Sequence, residues 1–200
     1  MAHGIGMANF YRAAQLDVQP EDPKNKYYKL EDKYSLLFED PIITEVAQIL
    51  EIDDELDCEM NEVLAIKVDK GEKGYVGTVG LGPCIAFCAR GYDELGNCYL
   101  AIYHSAADKA EYVFHTLFDA LEDLGEVEKI ETFAIGGMLP GEIEGEEGIV
   151  SGSYNAEKEL LEIGAQYNLQ AVRLHVNEAG DSVDVVITPE AIYYSAAIIE

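Results

Sequence analysis

Two periods of apolar residues alternate along this chain. In residues 42–52, Ile43, Val46, Ile49 and Leu50 recur at three-four spacing, which predicts a helix with one buried face. From Glu62 the period changes to two. Val63, Ala65 and Val68 predict a strand, Gly71 and Gly74 a turn, and residues 75–89 a long β-prone run broken by glycines. A turn at residues 93–96 and a strand over 97–103 complete a hairpin with that run. In residues 108–124 the helical period is strongest: Ala110, Val113, Phe114, Leu117, Leu121 and Leu124 form one stripe, Asp108 is the expected N-cap and Gly125 the stop.

A strand over 129–134 follows, ending at Gly136-Gly137, and then an acidic glycine-rich loop over 140–152. Residues 155–167 read as a second amphipathic helix, and 170–176 and 182–188 as two strands around Gly180. From Tyr75 the order is β-β-α-β-α-β-β, without an internal repeat or a linker. This predicts an α+β domain with mixed β-sheets packed as a sandwich and helices on the outer faces. The domain is expected over residues 61–200, with residues 1–60 an acidic helical and irregular extension of the same structural unit.

Composition narrows the function. Thirteen Lys and Arg against thirty-nine Asp and Glu give a net charge of −26, a field that repels phosphate backbones and argues against nucleic-acid binding. The same field favours a protein partner with a basic surface. No apolar run has the length of a membrane span, and the N-terminal residues lack a signal-peptide pattern. A cytoplasmic protein is therefore expected, with delivery to a host cell by a signal-less route as the alternative. Four cysteines, Cys58, Cys84, Cys88 and Cys98, are too few for a disulfide scaffold of this length.

The candidate chemistry is concentrated in two places. Residues 78–84 read Thr-Val-Gly-Leu-Gly-Pro-Cys. Gly80, Gly82 and Pro83 before Cys84 make a tight loop with exposed N–H groups, suited to holding an oxyanion and to lowering a thiol pKa. His104 ends the next strand, so the hairpin brings a nucleophile and a base together. The other histidines are less suggestive: His3 lies in the weakly patterned start, His115 flanks the helical stripe, and His175 sits on a strand, solvated or satisfied within the core. Cys88 and Cys98 read as core thiols, and Cys58 has no assigned place. A zinc set of Cys84, Cys88, Cys98 and His104 is disfavoured, because Cys84 and Cys88 stand about 13 Å apart on an extended strand. Neither a metal nor a cofactor is expected. Taken alone, these residues leave a structural thiol open as the alternative.

The order Thr78, Leu-Gly-Pro-Cys84, His104, Gly136-Gly137 and Asn155 resembles that of the CheD-like protein glutamine deamidases. It is similar also to their Cys–His relatives, the cytotoxic necrotizing factor catalytic domains and the Burkholderia lethal factor. The similarity spans about residues 70–190. It implies a cysteine-dependent hydrolase that turns a glutamine of a target protein into glutamate through a thioester on Cys84. In that reading His104 is the base, Thr78 orients the imidazole, and N–H groups near residues 82–84 bind the oxyanion. Pro83 departs from the pattern because it has no N–H. The long acidic loop is a second departure, and an effector-like or toxin-like role stands beside the chemotaxis role. Two other classes remain open: a non-catalytic acidic interaction module, and a cysteine peptidase or transglutaminase-type acyl transferase.

Overall fold

The structure is a computed structural model and describes residues 21–49, 51–142 and 148–196. His3, Leu50 and the middle of the acidic loop, residues 143–147, lie outside the described residues. In chain order the helices are α1 (Asn25–Lys33), α2 (Ser35–Phe38), α3 (Ala110–Glu122) and α4 (Tyr154–Ile163). The strands are β1 (Ile43–Glu45), β2 (Val63–Val68), β3 (Val76–Leu81), β4 (Ile85–Tyr92), β5 (Cys98–Ser105) and β6 (Lys129–Met138). They continue as β7 (Gly141–Glu142), β8 (Ile149–Val150), β9 (Leu169–Asn177), β10 (Val183–Ile187) and β11 (Ile192–Ala196).

The fold is α+β, a sandwich of two mixed sheets plus a helical layer. One sheet has the order β1-β11-β10-β3 and the other β2-β5-β4-β6-β9; β7 and β8 form a separate ribbon. Strand alternation sorts the five-stranded sheet's side chains onto two faces. Ala86, Cys88, Leu100, Ile102, Phe133 and Ile135 point inward and pack with Val76, Leu81, Val185, Ile187 and Ile192 of the other sheet. Ile85, Phe87, Ala89, Tyr99, Ala101 and Tyr103 point the other way, onto Val113, Phe114, Leu117 and Leu121 of α3, Leu160 and Leu161 of α4, Leu30 and Phe38. Thus β4 and β5 are buried on both faces. The described helices all pack on the outer side of this sheet.

Several expectations change. None of the described residues of 42–52 is helical. Ile43 pairs in parallel with Ile192, and Val46 N–H donates to the Tyr194 carbonyl at 2.9 Å, so sheet pairing overrides the three-four spacing. The run 75–89 is two strands, since the chain leaves β3 at Leu81 and enters β4, in the other sheet, at Ile85. The long helix starts at Ala110 with Lys109 as its N-cap residue, while the Asp108 carboxylate instead accepts the Tyr103 hydroxyl at 3.1 Å. Its stripe stops short of Leu124, which is exposed. The second helix ends at Ile163 and passes into a 3₁₀ turn, Gly164–Tyr167, closed by Asn168 at φ 55°.

Candidate active site

Two chain segments cross between the sheets at one corner of the sandwich. Residues 82–84 carry β3 into β4. Residues 57–62 run from the edge of β3, where Cys58 N–H donates to the Gly77 carbonyl at 2.8 Å, to the end of β5, where His104 N–H donates to the Glu62 carbonyl at 3.3 Å. Asn61, at φ 62°, completes that turn by donating its N–H to the His104 carbonyl at 2.6 Å. This corner holds Thr78, Cys84 and His104.

The β4–β5 register explains how residues twenty positions apart come onto one face. Ala86 is paired with His104, and directly opposite residues share a face of the sheet. Cys84 lies two residues before Ala86, hence on that same face, and it packs in the inter-sheet cluster with Ala86 and Cys88. Cys84 is 8% exposed and His104 6%, whereas Cys88 is 0%; the site is covered but not sealed.

Thr78 is fully buried at the same corner. Its Oγ1 donates to the Cys58 carbonyl at 2.8 Å and lies 2.8 Å from His104 Nδ1. A hydroxyl has one proton, and a carbonyl can only accept. With that proton on the Cys58 carbonyl, Nδ1 carries a hydrogen and donates to Thr78. The remaining ring nitrogen, Nε2, is therefore the unprotonated one. It is buried and without a hydrogen-bond partner, so Cys84 Sγ is not hydrogen-bonded to it in this resting arrangement.

Electrostatics depart from expectation. Burial raises the Cys84 thiol above its usual 9.0, against the lowering expected of a glycine loop and an imidazolium. Burial likewise holds His104 below the usual 6.5, opposed by the neighbouring Cys58 carbonyl. A desolvated corner disfavours both charges, so at neutral pH burial favours a neutral thiol and a neutral imidazole on this face.

The loop residues fall into three cases. Gly80, at φ 68°, donates its N–H to Asp184 Oδ1 at 2.9 Å, which removes it as an oxyanion donor. Pro83 is exposed and has no N–H. The N–H groups of Gly82 and Cys84 have no acceptor among the described residues. The glycine pair also has local reasons. A Cβ on Gly136, at φ 122°, would stand 2.6 Å from the Cys84 carbonyl oxygen; one on Gly137, at φ 77°, would meet Glu157 and, at 2.7 Å, Ser153 Oγ. Asn155 is an exposed residue of α4. It lines a groove with Pro83, Ala107 and Asp108, whose lining includes none of Thr78, Cys84 and His104.

The other candidates separate clearly. Cys58, Cys88 and Cys98 are buried free thiols. Burial pushes Cys58 and Cys98 up to about 11, and Cys88 further still. His115 is exposed, 3.2 Å from the Tyr167 hydroxyl. His175 is satisfied between Glu157 and Glu31. Sequence reasoning missed two participants. Cys58 matters through its carbonyl, and Asn177 through an amide that grips the Cys84 loop; neither role has a sequence signal, since each depends on a non-local contact. Among the described residues no group of three or more His, Cys, Asp or Glu is placed to hold a metal, and no described helix is long and apolar enough to cross a membrane. Compared with protein-family models and curated proteins, the chain matches neither a family model nor a curated sequence.

Proposed function

We propose that this protein is a cysteine-dependent amidohydrolase of the CheD-like type, converting a glutamine side chain of a partner protein to glutamate. One observation carries the reading. The Cys58 carbonyl and Thr78 hydroxyl fix the tautomer of His104, leaving an unpaired buried Nε2 on the sheet face that also bears Cys84.

The chemistry starts from neutral groups. His104 Nε2 takes the Cys84 proton as sulfur bonds the carboxamide carbon. Charge developing on the amide oxygen is met by the free N–H groups of Gly82 and Cys84. The imidazolium then gives its proton to the departing nitrogen, the C–N bond breaks, and ammonia leaves a thioester. Water loses a proton to Nε2 and attacks that carbonyl; sulfur departs and is reprotonated. Thr78 keeps the Nδ1–H direction throughout and stabilises the imidazolium as its partner. The net change is amide plus water to carboxylate plus ammonium, with no cofactor and no metal. The substrate is a protein with a basic surface around its glutamine, drawn by the net charge of −26.

Incubation with β-casein and with core histones, followed by mass spectrometry, tests the reading. Amide-to-acid mass gains and ammonia release without chain cleavage or added amine are expected, and both should vanish in Cys84→Ser. Equal gains with that variant would overturn it. A second reading, an acidic interaction module, draws on the raised Cys84 thiol and the absence of a Cys84–His104 hydrogen bond. It requires alkylation of Cys84 to be indifferent to His104→Gln, whereas the enzyme reading requires a fall.

A further inference from the structure

We infer that Asn177 is a positioning residue for the oxyanion donor of the Cys84 loop. The inference rests on the reading of Cys84 as nucleophile. Asn177, the last residue of β9, is 2% exposed. Its Nδ2 donates to the Leu81 carbonyl at 2.7 Å and to the Gly82 carbonyl at 2.9 Å, using both amide hydrogens on two successive peptide groups.

The geometry of a trans peptide gives this grip its consequence. The peptides here contain no cis bond, and in a planar trans unit the C=O and N–H point in opposite directions. The Leu81 carbonyl and the Gly82 N–H belong to one such unit. Holding the carbonyl toward Asn177 therefore turns the Gly82 N–H away from it. That N–H has no acceptor among the described residues, and the surroundings of Gly82 are open: a Cβ there would meet only the Asp181 carbonyl, at 3.7 Å. Asn177 thus fixes a free donor beside Cys84, while Gly137 N–H holds the Cys84 carbonyl at 2.8 Å.

The position of Asn177 is set by an irregularity in β9. Gly136 pairs with Leu174 but Met138 with Asn177, so β9 carries one extra residue there. His175 takes it up at φ 43°, a conformation that costs a non-glycine residue energy and persists only where surroundings enforce it. They do so here. Nδ1 lies 3.0 Å from Glu157 Oε2 and Nε2 3.2 Å from Glu31 Oε2, and Ser153 Oγ donates to Glu157 Oε1 at 2.6 Å. The bulge re-aims the strand end, and Asn177 reaches the loop.

Two reagents separate an oriented donor from a merely intact loop. Acylation of Cys84 by p-nitrophenyl acetate passes through an oxyanion: sulfur bonds the acetyl carbon, p-nitrophenolate leaves and the thiol proton goes to the imidazole. Alkylation by iodoacetamide displaces iodide with no oxyanion formed. Both are read on the Cys84 peptide by mass spectrometry, using the full chain. Asn177→Asp keeps the shape but has at most one proton to give to two carbonyls; Asn177→Ser is the uncharged second variant, too short to reach both carbonyls. The expected result in a folded variant is acylation slower by about tenfold or more, as for loss of an oxyanion donor, with alkylation within about twofold. Unchanged acylation overturns the inference. So does an equal fall in both reactions, or failure of both variants to fold by circular dichroism. Ammonia release that survives Cys84→Ser would overturn the deamidase reading instead, and it is measured independently of this ratio.

Discussion

Thr78 joins a carbonyl acceptor and a ring N–H donor through one hydroxyl, and its removal is the most selective change at this site. Thr78→Val leaves the Cys58 carbonyl and His104 Nδ1 without that hydroxyl. Loss of the tautomer lock should slow ammonia release by about a hundredfold or more, with a stability loss of about 1–3 kcal/mol from the stranded polar groups. Thr78→Ser retains the hydroxyl and should recover most of the rate; steady-state kinetics and denaturant titration check both. The pH profile follows from the same corner. His104 accepts a proton only while neutral, and burial holds its pKa below 6.5. The acid limb of kcat/KM should therefore fall below pH 6.5. Alkylation of Cys84 should show a midpoint above 9.0, where a free or imidazolium-paired thiol would titrate lower. At this scale the sequence named Thr78, Cys84 and His104, because chemistry-bearing side chains are identifiable by type. It could not show that Gly80 is engaged by Asp184, a partner more than a hundred residues away.

At the scale of elements, the approach of β6 to the start of β4 explains Gly136, and the approach of α4 explains Gly137. Gly136→Ala combines a φ of 122° with a Cβ 2.6 Å from backbone oxygen, which a side-chain rotation cannot relieve. It should destabilise the fold by about 1–3 kcal/mol or more and lower the thermal midpoint. Gly82→Ala has room and no positive φ, so its midpoint should match that of the parent; a differential scan of the two variants checks the contrast. The long strands and α3 were legible because each repeats its period over many residues: β4 and β5 run as hydrophobic stretches buried on both faces. Residues 42–52 were not. Their three-four spacing is an accident of a short edge strand followed by irregular chain, and only pairing with β11 decides between the two.

Across the whole molecule, His175 ties α1 to the sheet and to α4. Its ring packs beside Tyr27 and Phe38 and lies between Glu157 and Glu31. Burial works to lower its pKa, but the hydrogen bond and charge of Glu157, then those of Glu31, outweigh it, and the value is raised above 6.5. A raised folded-state value means that this contribution is fully present below pH 6.5 and fades as pH climbs through the raised value. His104 has the opposite sign: its lowered value costs stability as pH falls below 6.5. His175→Gln isolates the first effect. Stability from denaturant unfolding should drop most at low pH in this variant, so its pH curve should lose the decline above pH 6.5. A curve parallel to that of the parent would remove the charge bridge as a source of stability.

The order of residues alone determined that this is an acidic α+β chain with a cysteine and a histidine spaced across one hairpin and a threonine six residues before the cysteine. Period, turn residues and side-chain chemistry are local properties, and local properties survive reading in one dimension. Tertiary structure decided everything that depends on one segment meeting another. It divided a β-prone run between two sheets, used the carbonyl of Cys58 to set the tautomer of His104, and brought Asn177 onto the loop before Cys84. Burial at the closed corner also reversed the expected thiol shift, since desolvation depends on what the rest of the chain packs around a group.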